Sequence, residues 1–448
     1  FRIVYRARKF NVELIGGEQA GYRATRVPPN AVIVTTHCVS VTDPRKSADV
    51  PPETHLQMHE TENPIIFSLF LIFTGAALFA TLALYARQAL PIAYIALGAL
   101  IGPYGFKLID NASTIEEMAQ IGIMFLLFLL GLDLSPQRLL QMLRKATLIT
   151  LGTSLVFAAM GFGVALSFGY TLGESLLIGT AMTFSSTIIG LKLLPTRTLH
   201  HQHTGEIIIS ILLLQDLLAI MVLLLLEGLS GRGSSLQGLS LLIITLPLLL
   251  GIAFLVARYL LVPLIHKFDK IREYIFLIAI GWCLGISQIA LLLGLSHAIG
   301  AFIGGVALAT SPIALYIADS LKPLRDFFLV LFFFSLGAGF DLGMVGAVFW
   351  PTLLLGTALM VAKPWVFRGF LQWAGERARI AMEVGVRLGQ VSEFALLIGV
   401  MAQQNQLISR EASYLVQATT LLTFVASTYY LVLKYPTPVA LSDSLRRD

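Results

Sequence analysis

The run Ile211-Leu212-Leu213-Leu214-Gln215-Asp216-Leu217-Leu218-Ala219 puts one carboxylate in the middle of an apolar stretch that extends from 205 to 226. As a helix rising 1.5 Å per residue, that stretch is long enough to cross a hydrocarbon core of about 30 Å, with Asp216 near the midplane. An Asp, Lys or Arg at that depth costs about 2.5–3.5 kcal/mol on insertion scales, so such a residue faces the protein interior or a water-filled cavity. Burial disfavours the charged form of a carboxylate. The group can therefore hold a proton, or release it when a cation arrives. One site that takes either ion, never both, is the minimal chemistry of exchange. Gln215 would add an oxygen ligand without a second charge. The alternative is a structural Asp hydrogen-bonded to a neighbouring helix.

The rest of the chain agrees with a membrane setting. Of 448 residues, 56% are apolar and only 13% charged, with a mean hydropathy of +0.81. Soluble domains carry roughly 25% charged residues, and disordered chains combine low hydrophobicity with high charge, so both classes are excluded. Thirteen apolar segments follow one another near 64–85, 90–105, 115–132, 145–168, 172–194, 205–226, 238–264, 273–294, 296–310, 326–341, 348–371, 379–404 and 412–433. Alternate loops, starting after the first segment and ending with the C-terminus, hold eighteen Lys/Arg, and the others hold Lys107, Arg232 and Arg410. The positive-inside rule then puts the N-terminus outside and the C-terminus in the cytoplasm. Basic residues confined to short loops also exclude nucleic acid as the partner of this basic chain. Cys38 and Cys283 make no disulfide framework or zinc spacing. No nucleophile–base pair supports an enzyme. No cofactor is expected, and no metal beyond a transported monovalent cation.

Three regions are expected. Residues 1–57 form an N-terminal extension of unknown role. It is polar, begins with Phe and carries eight Lys/Arg, so it is either an upstream read-through with Met58 as alternative start or a real tail. Residues 58–435 form the membrane domain, and 436–448 a short cytoplasmic tail without a nucleotide-binding domain.

An internal repeat is visible. Gly98-Ala99-Leu100-Ile101-Gly102 in the second segment echoes Gly300-Ala301-Phe302-Ile303-Gly304 in the ninth. Phe128-Leu129-Leu130-Gly131-Leu132-Asp133-Leu134 in the third echoes Leu336-Gly337-Ala338-Gly339-Phe340-Asp341-Leu342 in the tenth. Each copy is displaced by seven helices, an odd number, so the halves are inverted in the membrane. The expected fold is an all-α polytopic membrane protein of about 13 transmembrane helices: two inverted repeats of six with a linking helix. Inverted repeats with a site at their interface mark secondary transporters.

The fifth segment carries Thr183-Phe184-Ser185-Ser186-Thr187-Ile188-Ile189-Gly190, and its offset partner in the twelfth is Gly389-Gln390-Val391-Ser392-Glu393-Phe394. Hydroxyls, an amide and Gly in mid-helix can re-satisfy backbone groups where a helix breaks, or they are small residues for close helix packing. Ser185, Ser186, Thr187, Gln390 and Ser392 are the candidate oxygen ligands and break residues. Glu393 is either a second protonatable group or a structural partner for a broken-helix N–H. Lys363 and Arg387 are buried cations that either neutralise a half-helix C-terminus or pair with Glu393 or Asp216. Glu383 and Arg387, spaced i, i+4, are also placed to satisfy each other.

Together, in this order, Gly131-Leu132-Asp133-Leu134, Ser185-Ser186-Thr187, Gln215-Asp216, His297-Ala298-Ile299-Gly300-Ala301-Phe302 and Gly389-Gln390-Val391-Ser392-Glu393-Phe394 resemble the membrane domain of the monovalent cation:proton antiporter-2 family. The likeness is strongest to its Kef-type potassium efflux branch and covers roughly 64–435. It implies fifth and twelfth helices that cross as broken helices, a homodimer, and a bacterial inner-membrane antiporter that exchanges K+, or else Na+, for H+ by alternating access. It also implies that Gln215-Asp216, where electrogenic relatives have Asp-Asp, exchanges one for one and leaves Lys363 without a carboxylate partner. No counterpart of the Gly-rich nucleotide-binding domain that Kef-type proteins carry after the last helix is expected here. The rival functions are a sodium-coupled organic-anion symporter and a sensor or channel on the same fold.

Overall fold

The computed structural model describes residues 64–109, 112–133, 136–192, 203–230, 235–268, 271–309, 311, 314–435 and 437. The expected extension 1–57, the alternative start at Met58 and the tail, apart from residue 437, lie outside the described residues. Among the described residues every regular element is a helix. The first four are α1 (Pro64–Tyr85), α2 (Leu90–Ile101), α3 (Ala112–Asp133) and α4 (Pro136–Ser167). The fifth apolar run is two pieces, α5 (Leu172–Ala181) and α6 (Thr187–Lys192). Then come α7 (His203–Ser230), α8 (Ser235–Val256), a π-helical turn (Ala257–Leu261) and α9 (Val262–Lys267). Next are α10 (Arg272–Leu292), α11 (His297–Ala309), α12 (Ala314–Ala338) and α13 (Val345–Trp373). The twelfth run is again two pieces, α14 (Ala378–Arg387) and α15 (Glu393–Gln404), followed by α16 (Arg410–Lys434).

Lipid cannot hydrogen-bond a backbone, so a spanning segment must satisfy its own N–H and C=O groups, which is why apolar runs of this length become helices. Seven of the described helices are long and apolar enough to cross a membrane, and three shorter apolar ones accompany them. The outward faces are apolar: α1 exposes Ile66, Phe70, Leu78 and Leu82, and α13 exposes Trp350, Val361, Trp365 and Trp373. Apolar faces on this scale suit hydrocarbon, not water. The chain is a multi-pass membrane protein.

Two helix starts differ most from expectation. The fourth run is expected from 145, yet α4 begins at Pro136, and the tenth is expected from 326, yet α12 begins at Ala314. Its first turns carry Asp319 paired with Lys322, and Arg325 paired with Asp326 at 3.0 Å. Hydropathy stops where charge begins. A helix continues through charge when the side chains reach water and can pair at i, i+3.

The repeated glycines sit where helices touch backbone to backbone. A Cβ on Gly98 of α2 would lie 2.0 Å from the Phe334 carbonyl oxygen of α12, and one on Gly337 would lie 2.0 Å from that of Ile95. Between α3 and α11, a Cβ on Gly131 would meet the Phe302 oxygen at 2.5 Å, and one on Gly305 the Phe128 oxygen at 2.1 Å. Small residues are what allow such approach between membrane helices. Gly305→Val should therefore destabilise the protein by about 1–3 kcal/mol, the usual scale of overpacking. Gly163→Ala, with nothing within 4 Å of its Cβ, should leave thermal melting in detergent unchanged. Equal melting of the two variants would show that the α3–α11 contact is looser than described.

Candidate functional site

Entry into α5 is fixed by a capping box. The Thr171 hydroxyl accepts from the Glu174 N–H at 3.3 Å, and the Thr171 N–H donates to the Glu174 carboxylate at 3.0 Å. Glu174 also accepts from the Ser409 N–H at 2.9 Å, which ties the start of α5 to the start of α16. Ten residues later α5 stops, and helix resumes only at Thr187. The α14–α15 pair is interrupted between Arg387 and Glu393 in the same way.

The two breaks face each other. The Ser185 hydroxyl donates to the Leu388 carbonyl at 2.8 Å, and the Gln390 side-chain amide donates to the Ser186 carbonyl at 3.3 Å. Between them lies Lys363 of α13, fully buried. Its ammonium donates to the Phe184 carbonyl at 2.9 Å and the Gln390 carbonyl at 3.0 Å, with the Ser185 hydroxyl oxygen at 3.4 Å. The Phe157 ring lies 5.3 Å from the same nitrogen. Half-helices α5 and α14 both end here, with partial negative charge at their C-termini. Of the roles open to Lys363 in the sequence, neutralising half-helix ends is the one its contacts support.

Each break is braced by the helix that follows it. On α7 the Gln215 side chain accepts from the Ser185 N–H at 3.0 Å and donates to the Thr183 carbonyl at 3.2 Å, replacing two bonds that an unbroken helix would make itself. On α16 the Thr423 hydroxyl accepts from the Val391 N–H at 3.1 Å, and Ser427 donates to the Gln390 side-chain oxygen at 3.0 Å. Ser185 and Val391 stand 206 residues apart, as do Phe184 and Gln390, and Gln215 and Thr423 stand 208 apart.

One residue beyond Gln215, Asp216 is 1% exposed. Its two carboxylate oxygens lie 3.1 and 3.2 Å from the Thr187 hydroxyl, which donates to them from the first residue of α6. Glu393 lies within Coulombic reach of Asp216. It opens α15, where the unpaired N–H groups of a helix start favour a negative side chain, and Ser392 caps that start by accepting from the Phe394 N–H at 3.1 Å. Arg387, also buried, pairs with Glu383 at 3.0 Å and lies over the Tyr435 ring.

The structure thus gathers the sequence candidates into two adjoining groups. Asp216 with Thr187, and Glu393 within Coulombic reach, form a carboxylate group. Gln215, Ser185, Ser186, Gln390, Ser392 and Lys363 form the brace. Gln215 and Ser185, expected beside the ion, direct their polar atoms at backbone. Thr423 and Ser427 were missed. Their signal was the recurrence of hydroxyls at Thr420, Thr423 and Ser427 along one face of the last helix.

A sequence profile described as "Sodium/hydrogen exchanger, transmembrane" matches residues 69–433. The chain belongs to the sodium/hydrogen exchanger family. It is a family of transporters, not enzymes. Among similar proteins, the "Iron transporter MagA" of Paramagnetospirillum magneticum is 28% identical over 83% of this chain and 86% of its own length. The "Glutathione-regulated potassium-efflux system protein KefC" of Cronobacter sakazakii is 30% identical over 81% of this chain. This chain spans only 59% of that KefC. The solved sodium proton antiporter MjNhaP1 of Methanocaldococcus jannaschii shares the fold, with a TM-score of 0.57 at 18% identity, over 81% of this chain and 93% of that one.

Lys363→Met would leave the Phe184 and Gln390 carbonyls without their shared donor, at about 1–3 kcal/mol for each orphaned buried group. A clear drop in melting temperature is expected. Lys363→Arg should not restore it, because a planar guanidinium fork does not fit a site built for a compact ammonium. Wild-type melting in Lys363→Met would show that the crossing does not rest on this residue.

Proposed function

We propose that this protein exchanges a monovalent cation for protons across a membrane by alternating access, with the two ions competing for Asp216. The observation that carries the reading is the placement of the buried Asp216 carboxylate, held by Thr187, beside two facing helix breaks. Broken helices set at mid-membrane are the usual frame of ion sites in secondary transporters. Family membership supports exchange as the reaction.

The donor set favours a singly charged ion. The pocket offers Asp216 and the Thr187 hydroxyl, with Glu393 as a tuning charge. Among the described residues no three His, Cys, Asp or Glu side chains converge as a metal site would need. K+ is preferred over Na+ because the KefC relative is named for potassium efflux. The neutral Gln215 supports one-for-one exchange, since it places no second carboxylate beside Asp216 on α7. Lys363 and the hydroxyl and amide groups of the brace hold the two breaks in register, so that a moving core carries the pocket as a unit. Arg387 stabilises the end of α14.

The equivalent contacts at offsets of 206 and 208 residues support the inverted repeat. Helix contacts agree: the second run packs on the tenth and the third on the ninth, pairs that exchange when each helix is advanced by seven. The membrane domain 58–435 would then comprise helices 1–6, a linking seventh and helices 8–13. We assign it to a bacterial inner membrane with the C-terminus cytoplasmic, and to a homodimer.

Proteoliposomes with an acid interior and a trapped pH dye test the reading. External K+ should collapse the gradient in wild type without a membrane potential developing. Asp216→Asn should abolish the collapse while the purified protein stays monodisperse. Exchange retained in Asp216→Asn would remove Asp216 from the site, and a developing potential would remove the one-for-one stoichiometry.

A further inference from the structure

A cavity of about 1090 Å³ opens away from this site. Pro103, Gly294, Gly339 and Asn405 of its rim come from connections that the basic-loop count assigns to the outer face. It exceeds any monovalent cation by far and matches the upper end of small-molecule pockets, roughly 300–1,000 Å³.

Its lining is unusual for a cation's approach. The inner walls are apolar: Met124 of α3, Phe332 and Leu336 of α12, and Leu397 and Met401 of α15. The polar lining is amide, hydroxyl, imidazole and guanidinium, supplied by Gln120, His297, Gln404, Asn405, Arg410 and Tyr414. Among the described residues none that lines the cavity is Asp or Glu. The described carboxylates nearby stand outside the wall. Glu117 lies a turn before Gln120 on α3, Glu411 follows Arg410, and Asp341 turns its carboxylate to its own loop, where it accepts from the Gly343 N–H at 2.8 Å. Among the described residues Arg410 forms no ion pair. A cleft lined by one sign of charge concentrates the opposite sign, and the described lining carries the Arg410 guanidinium without a carboxylate.

We propose that the outer cavity binds a soluble amphipathic organic carboxylate, its apolar body against Phe332, Leu336 and Leu397 and its carboxylate on Arg410. Guanidinium recognises carboxylate through two parallel hydrogen bonds, which gives the pocket a charge and an orientation preference. The wall is shared by α3 and α12 on one side and by α15 on the other, and the Leu397–Met401 face of α15 leads back, at i, i+4, to Glu393. A solute seated there lies beside the cluster in which Leu396 of α15 packs with Phe332, Phe333 and Leu336 of α12 and Ala119 of α3.

The test is binding, independent of transport. The chain is reconstituted in nanodiscs of phosphatidylcholine. Equilibrium dialysis then measures 2-naphthoate against its neutral analogue 2-naphthamide and its cationic analogue 2-naphthylmethylammonium. Naphthoate should bind once per chain and more tightly than either analogue. Arg410→Gln should weaken naphthoate at least tenfold and leave naphthamide unchanged. Met401→Trp, at a partly exposed wall position, should weaken both. The proposal is overturned if the ammonium analogue binds as well as the carboxylate, if Arg410→Gln has no effect, or if uptake equals that of empty nanodiscs. Displacement of naphthoate by added phosphatidylglycerol would give the pocket to an anionic lipid headgroup and overturn the soluble-carboxylate assignment. Exchange that fails in proteoliposomes while naphthoate still binds would count against the antiport reading alone.

Discussion

The Lys363 ammonium, held between the Phe184 and Gln390 carbonyls, is the contact on which the centre of the molecule depends. Two helix breaks brought face to face inside a membrane protein present unpaired carbonyls from two half-helix ends, with no water to satisfy them. One buried cation with three donors resolves both. With the carbonyl side settled, the N–H side is settled by the helices that follow: Gln215 for Ser185 and Thr423 for Val391. Bracing by Gln215 fixes the rotation of α7 about its axis. That rotation sets Asp216, the next residue, against Thr187. The position of the carboxylate is therefore a consequence of how the breaks are closed.

Charge follows the same logic. The buried cation lies where half-helices end, and Glu393 lies where one begins. Arg387, at the end of α14, is matched on its own helix by Glu383.

Much of this could be read from the sequence, and the parts that could not have physical causes. Apolar runs locate helices because the membrane forces internal hydrogen bonding. They misjudge ends that reach water, as at Ala314. The hydroxyl cluster at 183–187 marks a break, but the role of Gln215 depends on backbone thirty residues away in the chain, which no local pattern encodes. Thr423 was harder still. A buried Thr or Ser commonly returns its proton to a carbonyl one turn back, as Thr420 does to Val416. Thr423 does this with Thr420 and also accepts from Val391. Nothing in residue type separates the two.

The Phe157 ring beside Lys363 carries a consequence for ancestry. Residue 157 precedes 363 by 206 positions, the same interval that relates Phe184 to Gln390. If the two halves descend from one duplicated segment, 157 and 363 began as the same residue, meeting its own copy at the centre. Two ammonium groups there would repel without water to screen them, and two phenyl rings would leave both carbonyls unanswered. Only unlike residues satisfy the position, and an aromatic face is itself a favourable neighbour for the cation. Under that descent, this is a pair at which the copies diverge before the centre can close.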